Sequence, residues 1–153
     1  MKILVTAKRI PDPTQKLKLK DNALDLSGAN WQLNQFDEYA VEAALRLTED
    51  GANQATRQGQ VTVASLGPSD VATQLRSALA MGADKAVRVD AKDEELDASV
   101  VAKTIAKLAQ RDQPDRLFLD VDLQRVEALV AANNIVGDGQ VAPGDGIDGF
   151  SDG

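Results

Sequence analysis

Cysteine and histidine are both missing from these 153 residues. Their absence excludes thiol and imidazole nucleophiles, Ser-His-Asp triads and the usual zinc sites. It also excludes disulfides, which agrees with an expected cytoplasmic location. Aromatic residues make up only 3% of the chain, so Ala, Val and Leu carry most of the packing within an apolar fraction of 43%. Positive charge is in deficit. The net charge of −7 argues against a nucleic-acid or anionic-membrane surface. No apolar run approaches membrane-spanning length, and the opening Met1-Lys2 leads into a strand rather than a signal peptide, so no membrane insertion is expected. A Walker sequence and a G-x-G-x-x-G fingerprint are also lacking.

What is present centres on residues 60–84, QVTVASLGPSDVATQLRSALAMGAD. Val61, Val63, Ala64 and Leu66 form an apolar run rich in β-branched residues, which predicts a buried strand. Gly67-Pro68 breaks it. Ser69 is expected to cap the next helix, and Asp70 places negative charge in its first turn, where the helix dipole favours it. Val71, Leu75, Ala78 and Leu79 space as one helical face, and Gly82 supplies a left-handed stop. A strand over 86–89 follows. Strand, glycine turn, helix and strand make a βαβ unit and hence a parallel sheet.

The rest of the chain extends this pattern. Residues 2–7, KILVTA, predict the first buried strand, ended by Pro11 and Pro13. Lys8 and Arg9 just beyond it face either solvent or an anionic ligand, and a solvated loop is the simpler expectation. Leu17 and Leu19 alternate with lysines, and Leu24 and Leu26 flank Asp25, which predicts a hairpin turning at Asp21-Asn22 and appended to the sheet. Residues 27–33 form a connector carrying Trp31, to which no role is assigned. Asp37 is a plausible N-cap for a helix with Val41, Ala44, Leu45 and Thr48 on its inner stripe and Gly51 as its stop. Residues 52–59 are expected to form a loop and 90–96 an acidic connector. A third helix over 97–110 packs Val101, Ile105 and Leu108, and a strand over 117–119 follows. Leu123, Val126, Leu129, Val130 and Asn133 space as a fourth helix. Residues 137–153 hold six of the eleven glycines and four aspartates, so the domain is expected over 1–136 with a Gly/Asp-rich flexible tail over 137–153.

Several sites suggest themselves. The turn after Leu66 could receive an anion or a nucleotide sugar at a helix N-terminus. LFLDVD ends a strand in two carboxylates, Asp120 and Asp122, and resembles the opening of haloacid-dehalogenase-type phosphatases, though it lacks the usual threonine. Asp145, Asp148 and Asp152 could serve a calcium loop, although a flexible acidic tail is the simpler reading.

Three longer motifs outweigh these. KILVTAKRIPDP, NQFDEYAVEAALRL and ASLGPSDVATQLRSALAMGADKAVRV lie in order over residues 1–119, and each resembles a segment of electron-transfer flavoprotein beta subunits. That resemblance implies an α/β, Rossmann-like, mostly parallel sheet with flanking helices. It implies a heterodimer with an alpha subunit that carries most of the FAD site, and an AMP in this subunit, replaced by a second FAD in electron-bifurcating members. Flavin dehydrogenases and a downstream electron acceptor would be the other partners, and no independent catalysis is expected. Carried over position by position, the nucleotide contacts fall on Thr6, Asn34, Gln35, Phe36, Asp37 and Leu66. Gln35 stands where the family usually has proline. The family's phosphate-wrapping loop after the fourth strand is not matched: residues 120–134 space as a plain amphipathic helix, and 137–141 only echo the loop. The expectation is therefore a beta subunit or a shortened relative. The rival is a non-redox nucleotide-binding or interaction module of the same fold.

Overall fold

The computed structural model describes residues 1–50 and 53–119. The chain begins with β1 (Lys2–Thr6), whose residues from Ile3 onward are buried. Next come three short strands, β2 (Arg9–Pro11), β3 (Lys18–Lys20) and β4 (Ala23–Asp25), then β5 (Trp31–Leu33) and the helix α1 (Gln35–Thr48). The strands β6 (Glu49–Asp50) and β7 (Asn53–Arg57) lead into β8 (Gln60–Gly67). A single 3-10 turn, Ser69–Val71, opens α2 (Ala72–Ala80). β9 (Lys85–Asp90), a second 3-10 turn (Asp93–Glu95), α3 (Ala98–Asp112) and β10 (Arg116–Phe118) complete the order.

Four strands form the central sheet in the order β10-β1-β8-β9, every neighbouring pair parallel. Val5 is paired with Val63 on one side and Phe118 on the other. Alternation along the strands sorts the core into two faces. Ile3, Val5, Val61 and Val63 pack with Val41, Ala44 and Leu45 of α1 and with Leu75 and Ala78 of α2. Leu4 and Ala64 point to the other face and pack with Leu108 of α3. Ala102, Ile105 and Ala106 of α3 gather around Leu119 in a further cluster. This is the expected α/β architecture, a Rossmann-like parallel sheet covered on both faces.

The helices start and stop for local reasons, and three helix ends differ from expectation. The N-cap of α1 is Asn34, three residues before Asp37, and the helix closes at Glu49 rather than at Gly51. It ends because Glu49 turns to extended backbone and joins β6, which pairs antiparallel with β7 where a loop was expected. Ser69 makes no side-chain cap. The chain enters α2 through the 3-10 turn from an extended Pro68. Val71, Leu75 and Ala78 are buried as the spacing predicts, whereas Leu79 is 39% exposed because it lies at the edge of that stripe. Asp97 caps α3 by accepting the Val100 N–H at 2.8 Å. Gln113, at φ 44°, turns the chain out of α3.

Residues 9–33 depart most from the sequence-based reading. Arg9–Pro11 is not a solvated loop but a strand, paired antiparallel with Trp31–Leu33, itself expected to be a connector. The predicted hairpin is present, with Leu19 opposite Leu24 and a turn through Asp21 and Asn22, both at positive φ. It forms its own two-stranded sheet rather than adding to the central one. The expected fourth helix, the tail over 137–153 and the candidate carboxylates Asp120, Asp122, Asp145, Asp148 and Asp152 lie outside the described residues.

Candidate functional site at the carboxyl edge of the sheet

A parallel sheet binds ligands outside the carboxyl ends of its strands, where the direction of winding reverses. Here the chain winds from β1 through β8 to β9, then crosses by α3 to β10 on the far side of β1. The reversal therefore falls between β1 and β10. Their carboxyl ends meet directly: the Thr6 hydroxyl donates to the Phe118 carbonyl at 3.5 Å. That contact is long for an O–H donor, so it constrains the hydroxyl weakly.

The N-terminus of α1 is tied to the same edge by main-chain bonds. The Asn34 N–H donates to the Lys8 carbonyl at 3.1 Å, and the Lys8 N–H donates to Asp37 Oδ2 at 2.7 Å. Asp37 is 1% exposed, and the Lys8 ammonium stands 3.7 Å from its other oxygen. A buried carboxylate needs such compensation. Asp37 therefore serves as an anchor between α1 and the end of β1, not as a helix cap.

Of the six residues expected to touch nucleotide, Thr6 and Asn34 are buried, Leu66 is half-buried, and Gln35 and Phe36 are exposed, Phe36 at 72%. Alternation turns Thr6 and Leu66 toward the α3 face, while α1 packs on the opposite face. The six residues thus do not line one wall. A hydroxyl, a carboxamide, an apolar side chain and an accessible ring suit a nucleoside, which offers hydrogen-bonding edges and a flat face. They are not a phosphate-binding set.

Arg9 is not available for phosphate either. Its guanidinium, 8% exposed, is bonded to Asp70 after β8 and lies 2.6 Å from Asp93 after β9. It also stacks 4.0 Å over the ring of Trp31. One side chain so clasps the loops following two strands, and Trp31, to which the sequence assigned no role, provides its platform. Gln74, buried in α2, donates to the Trp31 carbonyl at 3.0 Å and so ties that platform to α2. Asp70, in the first turn of the helical segment after Gly67, is held by Arg9.

Gly67 shapes the end of β8. Its φ is 144°, and a Cβ there would lie 2.8 Å from Val71 Cγ2. The Arg88 guanidinium donates to its carbonyl at 2.8 Å, joining β9 to the turn. Only glycine fits both the backbone angle and the close approach.

A sequence profile described as "Electron transfer flavoprotein domain" matches residues 21–143. The chain belongs to the electron transfer flavoprotein family. It is 39% identical to the "Electron transfer flavoprotein subunit beta" of Bradyrhizobium diazoefficiens over 139 residues, which cover 86% of this chain and 53% of that protein. It is 40% identical to the mitochondrial beta subunit of Oryza sativa subsp. japonica over 124 residues, 78% of this chain and 47% of that one. The beta subunit of Bacillus subtilis is 29% identical over 151 residues, 94% of this chain and 50% of its own length. The chain thus spans about half the length of these electron transfer flavoprotein relatives.

Among the described residues, no helix is long and apolar enough to cross a membrane.

Proposed function

We propose that this chain acts as the beta subunit of an electron transfer flavoprotein, or as a portion of one, and that it holds AMP at the junction of β1 and β10. The observation that supports this is the meeting of Thr6 with the Phe118 carbonyl at the winding reversal, with the N-terminus of α1 drawn in beside it through Lys8 and Asp37. In this reading Thr6 and Asn34 provide hydrogen bonds to the nucleoside. Leu66 and Phe36 provide apolar contact, and Gln35 shapes the turn. Asp37 acts through Lys8 by fixing the α1 N-terminus. The phosphate-holding groups fall beyond the residues placed at this edge.

The nucleotide is structural here, and the chain has no catalysis of its own. An alpha subunit would carry most of the FAD site, and FAD would supply the electron chemistry between flavin dehydrogenases and a downstream acceptor. The contribution of this chain is a rigid, parallel-sheet platform against which that partner is held. A cytoplasmic location goes with this reading, as does the lack of cysteine.

Co-expression with an alpha subunit tests the assignment. A complex with the visible absorbance of bound flavin is the expected result. A complex without flavin would favour a non-redox module of the same fold, and no complex at all would contradict the subunit assignment.

A further inference from the structure

Residues 9–33 form one interrupted antiparallel ribbon rather than separate pieces. β2 pairs with β5 at its base, and β3 pairs with β4 at its tip. Between them the Asp12 N–H donates to the Asn30 carbonyl at 2.8 Å. The Gln15 side chain then spans the gap, donating to the Gly28 carbonyl at 2.7 Å and accepting from the Asn30 N–H at 2.7 Å. A side-chain amide thus replaces a missing rung. The base is fixed by Arg9 stacked on Trp31 and by Gln74 on the Trp31 carbonyl. The arm is therefore built and oriented.

Its tip buries nothing. Leu19 is 77% exposed, Leu24 50% and Leu26 38%. Leu19 and Leu24 face each other across the strands, and alternation puts Leu17 and Leu26 on their side of the ribbon. Lys18 and Lys20 take the other side, where Asp25 stands opposite Lys18, and Lys16 precedes the strand. Among the described residues none of these three lysines is paired with a carboxylate. A two-stranded hairpin is marginal in water by itself. A leucine face left in solvent adds nothing to its stability, and among the described residues no contact buries it.

We propose that the β3–β4 tip is a docking element, inserting its leucine face into an apolar strip flanked by carboxylates on a protein partner. Charge decides what kind of partner. The chain carries −7 overall, yet residues 16–26 carry three lysines against the two aspartates Asp21 and Asp25, so the tip is locally basic and complements an acidic rim. Two copies of a −7 chain repel each other, which disfavours a second copy as the occupant. Three exposed leucines fall well short of the roughly 800 Å² per partner of a standard interface, so the arm is one anchor within a larger contact. This rests on the subunit assignment above to the extent that the alpha subunit is the partner to be probed.

The test measures affinity of the alpha subunit for the chain and for two variants, Leu19→Ser/Leu24→Ser and Lys16→Glu/Lys18→Glu/Lys20→Glu. Both change exposed residues, and thermal melts of each free chain confirm that the sheet is intact. The leucine variant is expected to bind roughly tenfold or more weakly. The charge-reversed variant is expected to lose affinity most at low salt, where the wild-type attraction is strongest. Unchanged affinity in both variants overturns the docking role while leaving the subunit assignment standing. Failure of the wild type itself to bind overturns both. Sedimentation of the free chain adds a third readout: self-association that the leucine variant abolishes would make a second copy the occupant and overturn the proposal.

Discussion

The main-chain N–H of Lys8 donates to the buried carboxylate of Asp37 at 2.7 Å, across 29 residues of sequence. That bond sets where α1, with Asn34 and Phe36 at its start, begins relative to the end of β1. Removing the carboxylate leaves a part-buried amide without its acceptor, at a cost of about 1–3 kcal/mol. Asp37→Ala is expected to lower the urea midpoint with an unchanged slope. Asp37→Asn, which keeps an acceptor oxygen, should lose less. Equal losses in the two variants would mean that the charge, not the hydrogen bond, matters.

Arg9 and Trp31 should be energetically coupled. Arg9→Ala removes two ion pairs and the stacking contact, and the stack alone is worth about 0.5–2 kcal/mol. Because Asp70 and Asp93 are more than half exposed, the ion pairs contribute the smaller part. A double-mutant cycle with Trp31→Leu is expected to show a coupling that persists at high salt. Additive losses would mean that the ring is only packing.

Gly67→Ala is expected to destabilise the chain by roughly 1–3 kcal/mol, since it combines a disfavoured backbone angle with a clash against Val71. Val71→Ala in the same chain should relieve the clash and not the angle, so rescue should be partial. Complete rescue would show that only the contact was at fault.

The turns between the ribbon's base and its tip should be acid-labile. Asp12 is held below its ordinary value of 3.8 by hydrogen bonds from the Thr14 hydroxyl and N–H, and Asp25 likewise by Ser27. A carboxylate with a lowered folded value stabilises the fold above its unfolded value, and that contribution is lost as pH falls through the folded one. The amide signals of Thr14 and Ser27 are therefore expected to shift below about pH 3.8 before the core strands respond. Simultaneous loss of both would mean that the turns are not independent of the sheet.

The sequence was most legible where apolar periodicity met a buried strand or helix. β1, β8, α2, β9 and α3 all announce themselves through runs such as Val61-Thr62-Val63 or stripes such as Val71, Leu75 and Ala78. β2, β5 and β7 did not. β2 and β5 are only three residues long, β7 is polar, and Pro11 in β2 argues locally against a strand, although an edge position tolerates it. The carboxyl edge as a binding region followed from the βαβ pattern and the motif resemblance. The clasp did not, because Arg9 finds its acids 61 and 84 residues away and no local spacing encodes that. Asp37 looked like a cap because acids near helix starts usually are. Burial beside the end of β1 gave it another partner.

The central claim is that an adenine nucleotide is held where β1 and β10 end. Chromatography of nucleotide released by denaturing the purified chain tests it most directly, with Thr6→Val and Asn34→Ala prepared in parallel. Thr6→Val should leave stability nearly unchanged, because its hydroxyl makes only a 3.5 Å contact, yet weaken nucleotide retention by roughly two- to tenfold. The account predicts near-stoichiometric AMP from the wild type and depleted AMP from both variants. A wild type that releases no adenine nucleotide and takes up none when AMP is added, or variants that retain it as fully as the wild type, would contradict it.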